Sequence, residues 1–224
     1  MDFPEVEVKA SQAYWSGDAE AFDFGILDFL RQPYDNLVDT IEDVLEVIRS
    51  PHAEFFGSTL GRMAFIQLFA AMEAFLTDTL LERVLTDRDR LARVLAGVND
   101  LKAVKLSLSD ILADPEIVQH KVAEEIHKMS FHNFNKTDAV WNVAFGHSIF
   151  KNQQVRERLL RYVGIRHDCV HRNGKSEEGI VSPVDFSLVR EVAHHFKGTA
   201  LYIEGQFEGT DFEAGLLDEA PPII

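Results

Sequence analysis

The segment RYVGIRHDCVHRNGK, residues 161–175, places Arg166, His167, Asp168, His171 and Arg172 among Ile165, Cys169 and Val170. Arginine keeps its charge at any working pH and grips phosphate or carboxylate with a planar fork of donors. Histidine, with an ordinary pKa of about 6.5, can accept or release a proton near neutrality. A guanidinium that holds an anion beside an imidazole that moves a proton suits chemistry on a phosphodiester. Two other readings of the spacing stand beside it. Arg166 can form a purely structural ion pair, with the histidines as a surface cluster. Alternatively, His167 and His171, i and i+4 on one helix face with Asp168 nearby, can begin a metal site, although two histidines are a weak signal without a third ligand.

The helix that must carry these residues runs from Asn152 to about Asn173 and is stopped by Gly174. At roughly 100° per residue, Val155, Leu159, Tyr162, Arg166, Cys169 and Asn173 fall on one stripe, the pattern of a packing seam. Leu160, Val163 and Val170 widen that apolar face, and His167 and His171 lie along its flank. Glu157, Arg161, Asp168 and Arg172 take the wetter side. Arg166 therefore interrupts a seam, and a buried guanidinium costs several kcal/mol unless an anion meets it. Glu73 is the second polar intruder, flanked by Ala71, Met72, Ala74 and Phe75. It is the natural partner if its helix packs beside 152–173, and a solvent-facing acid if not.

Around these two helices the chain reads as all-α. Residues 1–33 show no sustained period and form an irregular arm. Leu37, Ile41, Val44, Leu45 and Ile48 have helical spacing over 34–50, ended by Pro51. A long apolar helix follows over about 58–86, and a shorter one, RDRLARVLAGV, ends around Asn99-Asp100. Ser107 and Asp110 resemble a helix start. Asp114 is expected as N-cap with Pro115 at the first helical position. SFHNFNK, residues 130–136, makes a turn into another short helix. A last long helix spans 182–207, with Ser182 as cap and Pro183 at its first position. The bundle thus carries a helical insertion, about 87–150, between its second and third main helices, within a domain spanning 34–207. Residues 208–224 form an acidic tail. His120, His127, His147 and His194-His195 read as surface or capping residues, and His132 with Asn133 and Lys136 as a further RNA contact.

Composition narrows the function. The 224 residues can bury one substantial core, and 17 phenylalanines make that core Phe-rich. The net charge of −15 argues against a protein that coats nucleic acid non-specifically. Residues 156–175 are the exception, holding six Lys/Arg against Glu157 and Asp168. That suits a local anion site. The single Cys excludes an internal disulfide and fits a reducing compartment. MDFPEVEVKA is not a signal peptide. The run MAFIQLFAAMEAFL, 63–76, is too short for a bilayer and is broken by Gln67 and Glu73. The expectation is a cytoplasmic protein without a membrane partner.

RHDCVHRNGK, at the end of an amphipathic helix and followed by another long helix, resembles the signature of HEPN domains, an Arg, four to six intervening residues, then a His. Arg166 and His171 fit it with a four-residue gap. AMEAFLTDTL resembles the family helix that brings a glutamate toward the motif, and SFHNFNK is also similar to bacterial members. The resemblance covers about 34–207. It implies a helical bundle that dimerises with two motifs in one cleft, and a metal-independent endoribonuclease, commonly a toxin or a phage-defence effector with an antitoxin or defence-system partner. By that resemblance His171 is the acid/base residue, Arg166 holds the scissile phosphate and Glu73 orients Arg166 or His171. His167, Asp168, Arg172, Asn173 and Lys175 are then substrate-binding or supporting residues, and no cofactor is needed. Asn173 stands where some members carry a tyrosine modified by an antitoxin, so that mode of control is not expected here. Other members are non-catalytic modules that bind a nucleotide or a partner protein, which is the alternative; a plain helical scaffold is a third.

Overall fold

In the computed structural model the described residues are 33–181 and 183–208. Helix α1, Pro33–Arg49, buries Leu37, Ile41, Val44 and Ile48, a single stripe at helical spacing. A 3-10 turn at Ala53–Phe55 leads into α2, Gly57–Leu85. At 29 residues α2 is about 44 Å long. Its buried positions include Phe65, Leu68, Phe69, Met72, Phe75, Leu76 and Leu80, while Met63, Gln67, Ala70 and Ala74 form an exposed stripe. It is apolar and long enough to cross a bilayer, yet 61% of its most apolar stretch is buried in the bundle.

The remaining helices are α3 (Arg88–Gly97), α4 (Asn99–Lys102), α5 (Leu108–Ala113), α6 (Ile117–His127), α7 (Phe134–Phe145), α8 (Gln153–Arg172) and α9 (Phe186–Glu208). Helix α2 packs against α1, α3, α6, α7, α8 and α9 and is the axis of the fold. The fold is all-α: among the described residues there is no strand, only an antiparallel bridge between Lys175 and Val181. The centre is rich in phenylalanine, as composition suggests. Phe69 stacks on Phe134 and meets Phe196 edge-on, with ring centroids 5.9 and 5.1 Å apart.

Local chemistry moved several helix ends. Asp114 does not start α6. It closes α5, its carboxylate accepts the Glu116 N–H and meets His120 Nδ1 at 2.9 Å, and Pro115 lies in the turn. Asn99 does not end a helix but opens α4. Pro183 precedes α9 instead of starting it, because 183–185 run across α2: a Cβ at Gly61 would lie 2.1 Å from the Val184 carbonyl oxygen. Asp185 then accepts the Leu188 N–H and caps α9. Ser182, the arm before Pro33 and the acidic tail after Glu208 lie outside the described residues. The capping box at Ser107 and Asp110 and the start of α7 after SFHNFNK formed as the sequence suggests.

Candidate functional site

Helix α8 takes its position from both ends. Asn152 accepts the Val155 N–H at its start. At its end Asn173 adopts the left-handed conformation, φ 53°, and the Gly174 N–H bonds to the Asp168 carbonyl. Val155, Leu159, Tyr162 and Cys169 are buried, as the seam pattern requires. In the middle of that seam, the Arg166 side chain is 19% exposed.

A second set of contacts sets the register of α8 against α9. Arg158 donates to His195 Nε2 at 2.9 Å, which leaves the imidazole proton on Nδ1, facing the Tyr162 hydroxyl at 2.8 Å. Tyr162 in turn donates to Glu191, which also accepts from Arg161. Burial, then the Arg158 charge, pushes the His195 pKa down to about 4, so the ring is neutral at pH 7. Burial and the Glu191 bond raise that of Tyr162. His195 therefore belongs to the core and is not a surface residue; the α9 face bearing Val192, His195, Phe196 and Thr199 is buried.

Glu73 is the partner of Arg166. Its Oε1 accepts from Arg166 Nη2 at 3.5 Å. Its Oε2 lies 3.4 Å from His132 Nδ1, so one carboxylate stands between a guanidinium and an imidazole. Packing explains why His132 arrives there. Phe69 and Glu73 share a face of α2, one turn apart, and Phe134 stacks on Phe69. Phe131 and Phe134 are both buried, and the Thr137 hydroxyl donates to the Phe131 carbonyl, which locks the turn that carries His132. Arg166 Nε is buried and has no hydrogen-bond partner. That N–H is out of reach of solvent, so an anion meets the guanidinium only where the side chain is exposed, while Nη2 holds Glu73.

The other candidate residues are placed differently. His167 and His171 stack on each other, centroids 4.7 Å apart, and both are exposed. Five residues along a helix turn a side chain by about 140°, so His171 leaves α8 away from the Arg166 seam. Among the described residues no group of three or more His, Cys, Asp or Glu gathers as metal ligands. Asp168 is not on a wet face. Its side chain is 17% exposed and pairs with Arg172 at 3.0 Å, and Arg172 also reaches Glu177 at 2.7 Å. Asn173 and Lys175 are exposed beyond the helix end. The structure thus joins Arg166 to Glu73, sets His167 with His171 and Asp168 with Arg172, and adds His132 to the Glu73 group. The signal for His132 in the sequence was its place between two phenylalanines, Phe131 and Phe134, of a chain whose core is Phe-rich. No protein-family model, curated protein sequence or solved structure matches the chain.

Proposed function

We propose that this chain is a metal-independent endoribonuclease of HEPN type, acting in the cytoplasm as a toxin or phage-defence effector. The observation that carries the reading is Arg166. A charged group in an apolar seam, held by one long contact to Glu73 and keeping a buried N–H unused, is poorly explained by stability alone. It is well explained by a phosphate that completes it. Arg166 would bind the scissile phosphate and stabilise the charge that builds on the pentacoordinate transition state. The ribose 2′-hydroxyl attacks phosphorus, the bond to the 5′ oxygen breaks, and the products are a 2′,3′-cyclic phosphate and a 5′-hydroxyl end. His171 is an acid/base candidate that acts once a second copy brings the exposed His167–His171 face to a shared cleft. Val170 beside it is 43% exposed, which suits a homodimer contact there.

The net charge of −15 and the engagement of Arg172 by two carboxylates favour a second reading, a non-catalytic module of the same type that binds a nucleotide or a partner protein. Expression of the chain alone separates the two. Growth arrest with fragmented cellular RNA, absent for Arg166→Ala, supports the enzyme; unchanged growth and intact RNA support the module.

A further inference from the structure

We infer that His132, contributed by the segment between α6 and α7, is the proton-accepting residue of the Arg166 site. The inference rests on the reading of that site as a phosphodiester site and gives it a base drawn from the same protomer. Two groups share Glu73: Arg166 Nη2 at Oε1, 3.5 Å, and His132 Nδ1 at Oε2, 3.4 Å. With Nδ1 turned to the carboxylate, Nε2 points away from it as the free ring nitrogen. At 3.4 Å the carboxylate beside Nδ1 stabilises the cation formed when the other nitrogen takes a proton. The part of the Arg166 side chain that stays exposed, 19% of it, supplies the anion contact. Thus a partly exposed guanidinium and an imidazole lie at opposite oxygens of one carboxylate. That arrangement is the minimum for deprotonating a hydroxyl beside a bound phosphate.

His171 does not meet these conditions within one protomer. It is exposed, stacks on His167, and has no hydrogen bond to Glu73 or Arg166 among the described residues. In the proposed step His132 Nε2 takes the 2′-hydroxyl proton as the O2′–P bond forms. The P–O5′ bond breaks, the 5′ oxygen takes a proton from water, and His132 later returns its proton to solvent. Charge and protons balance without a co-reactant.

The test is a titration of the full chain with inorganic phosphate, followed through histidine ring signals in NMR and assigned with His132→Gln, His167→Gln and His171→Gln. The inference expects phosphate to shift the His132 signals in wild type and not in Arg166→Ala. It also expects His132→Gln to bind phosphate as wild type does while cleaving RNA at least about 100-fold more slowly, the usual scale for loss of a general base. Movement of the His167 and His171 signals with His132 unchanged would overturn it, as would a His132→Gln protein that cleaves RNA at the wild-type rate. If phosphate moves no histidine signal and wild type cleaves no RNA, the anion-site reading falls and His132 with it.

Discussion

If Arg166 is kept for a ligand, removing it together with Glu73 should leave the fold intact or strengthen it. The two side chains are 19% and 24% exposed and touch through one contact of 3.5 Å, at the long end of hydrogen-bond distances. Breaking a well-formed buried pair from one side costs about 3–5 kcal/mol, whereas replacing both partners by apolar groups is often neutral or stabilising by about 1–4 kcal/mol. Partial exposure and poor geometry place this pair at the low end of both ranges. Arg166→Met alone should cost about 1–2 kcal/mol, because Glu73 keeps a half-buried charge with only His132 opposite. Glu73→Met alone should cost about 2–3 kcal/mol, since Arg166 would then have two unpaired donors in a seam lined by Tyr162 and Cys169. The double variant should return to within about 1 kcal/mol of wild type or exceed it, because no charge is left unpaired. Urea unfolding of the four proteins at pH 7, analysed as a double-mutant cycle, reads these values. A double variant more than about 3 kcal/mol less stable than wild type would refute the reasoning, because the pair would then be a structural tie.

Other expectations concern the surrounding frame. The His195 ring, held neutral with a pKa of about 4, contributes stability that is complete above pH 6.5 and lost as the pH falls to about 4. That gap amounts to about 3 kcal/mol. Asp78 acts in the opposite sense. Burial raises its pKa from 3.8 to about 6, so folding gains roughly 3 kcal/mol as the pH falls through that interval. Between pH 6.5 and 4 the two offset. His195→Gln should therefore become more stable relative to wild type on acidification, and Asp78→Asn less, measured by urea midpoints across that range. Gly61→Ala drives a methyl into the Val184 carbonyl and should cost at least about 2 kcal/mol, seen as a lower Tm. Asn173→Val places a β-branched residue at φ 53° and should cost about 1–2 kcal/mol, while Asn173→Gly should not destabilise.

What could be read in the sequence was what depends on periodicity. The seam of α8, the stripe of α1 and the apolar run of α2 each repeat every three or four residues, and each formed close to its expected bounds. Glu73 and Arg166 stood out for the same reason, as charged residues in apolar patterns. Helix ends depend on local competition that pattern does not resolve. Asp114 can cap a following helix or close a preceding one, and the contact with His120, six residues on, belongs to the second arrangement. His195 was misplaced because a pair of histidines looks polar until Arg158 and Tyr162 are found opposite it. His132 joined the site through Phe134 stacking on Phe69, a contact between residues far apart in the chain, and one sequence alone does not show such a pairing.

The central claim is cleavage of RNA at Arg166 without a metal. The most direct measurement incubates the purified chain with RNA in excess chelator, beside an Arg166→Ala protein shown to be folded, and determines the chemistry of the new ends. Wild type is expected to give fragments with 2′,3′-cyclic phosphate and 5′-hydroxyl ends, and the variant to leave the RNA intact. Fragments made equally by both proteins, or only after a divalent metal is restored, would contradict that claim.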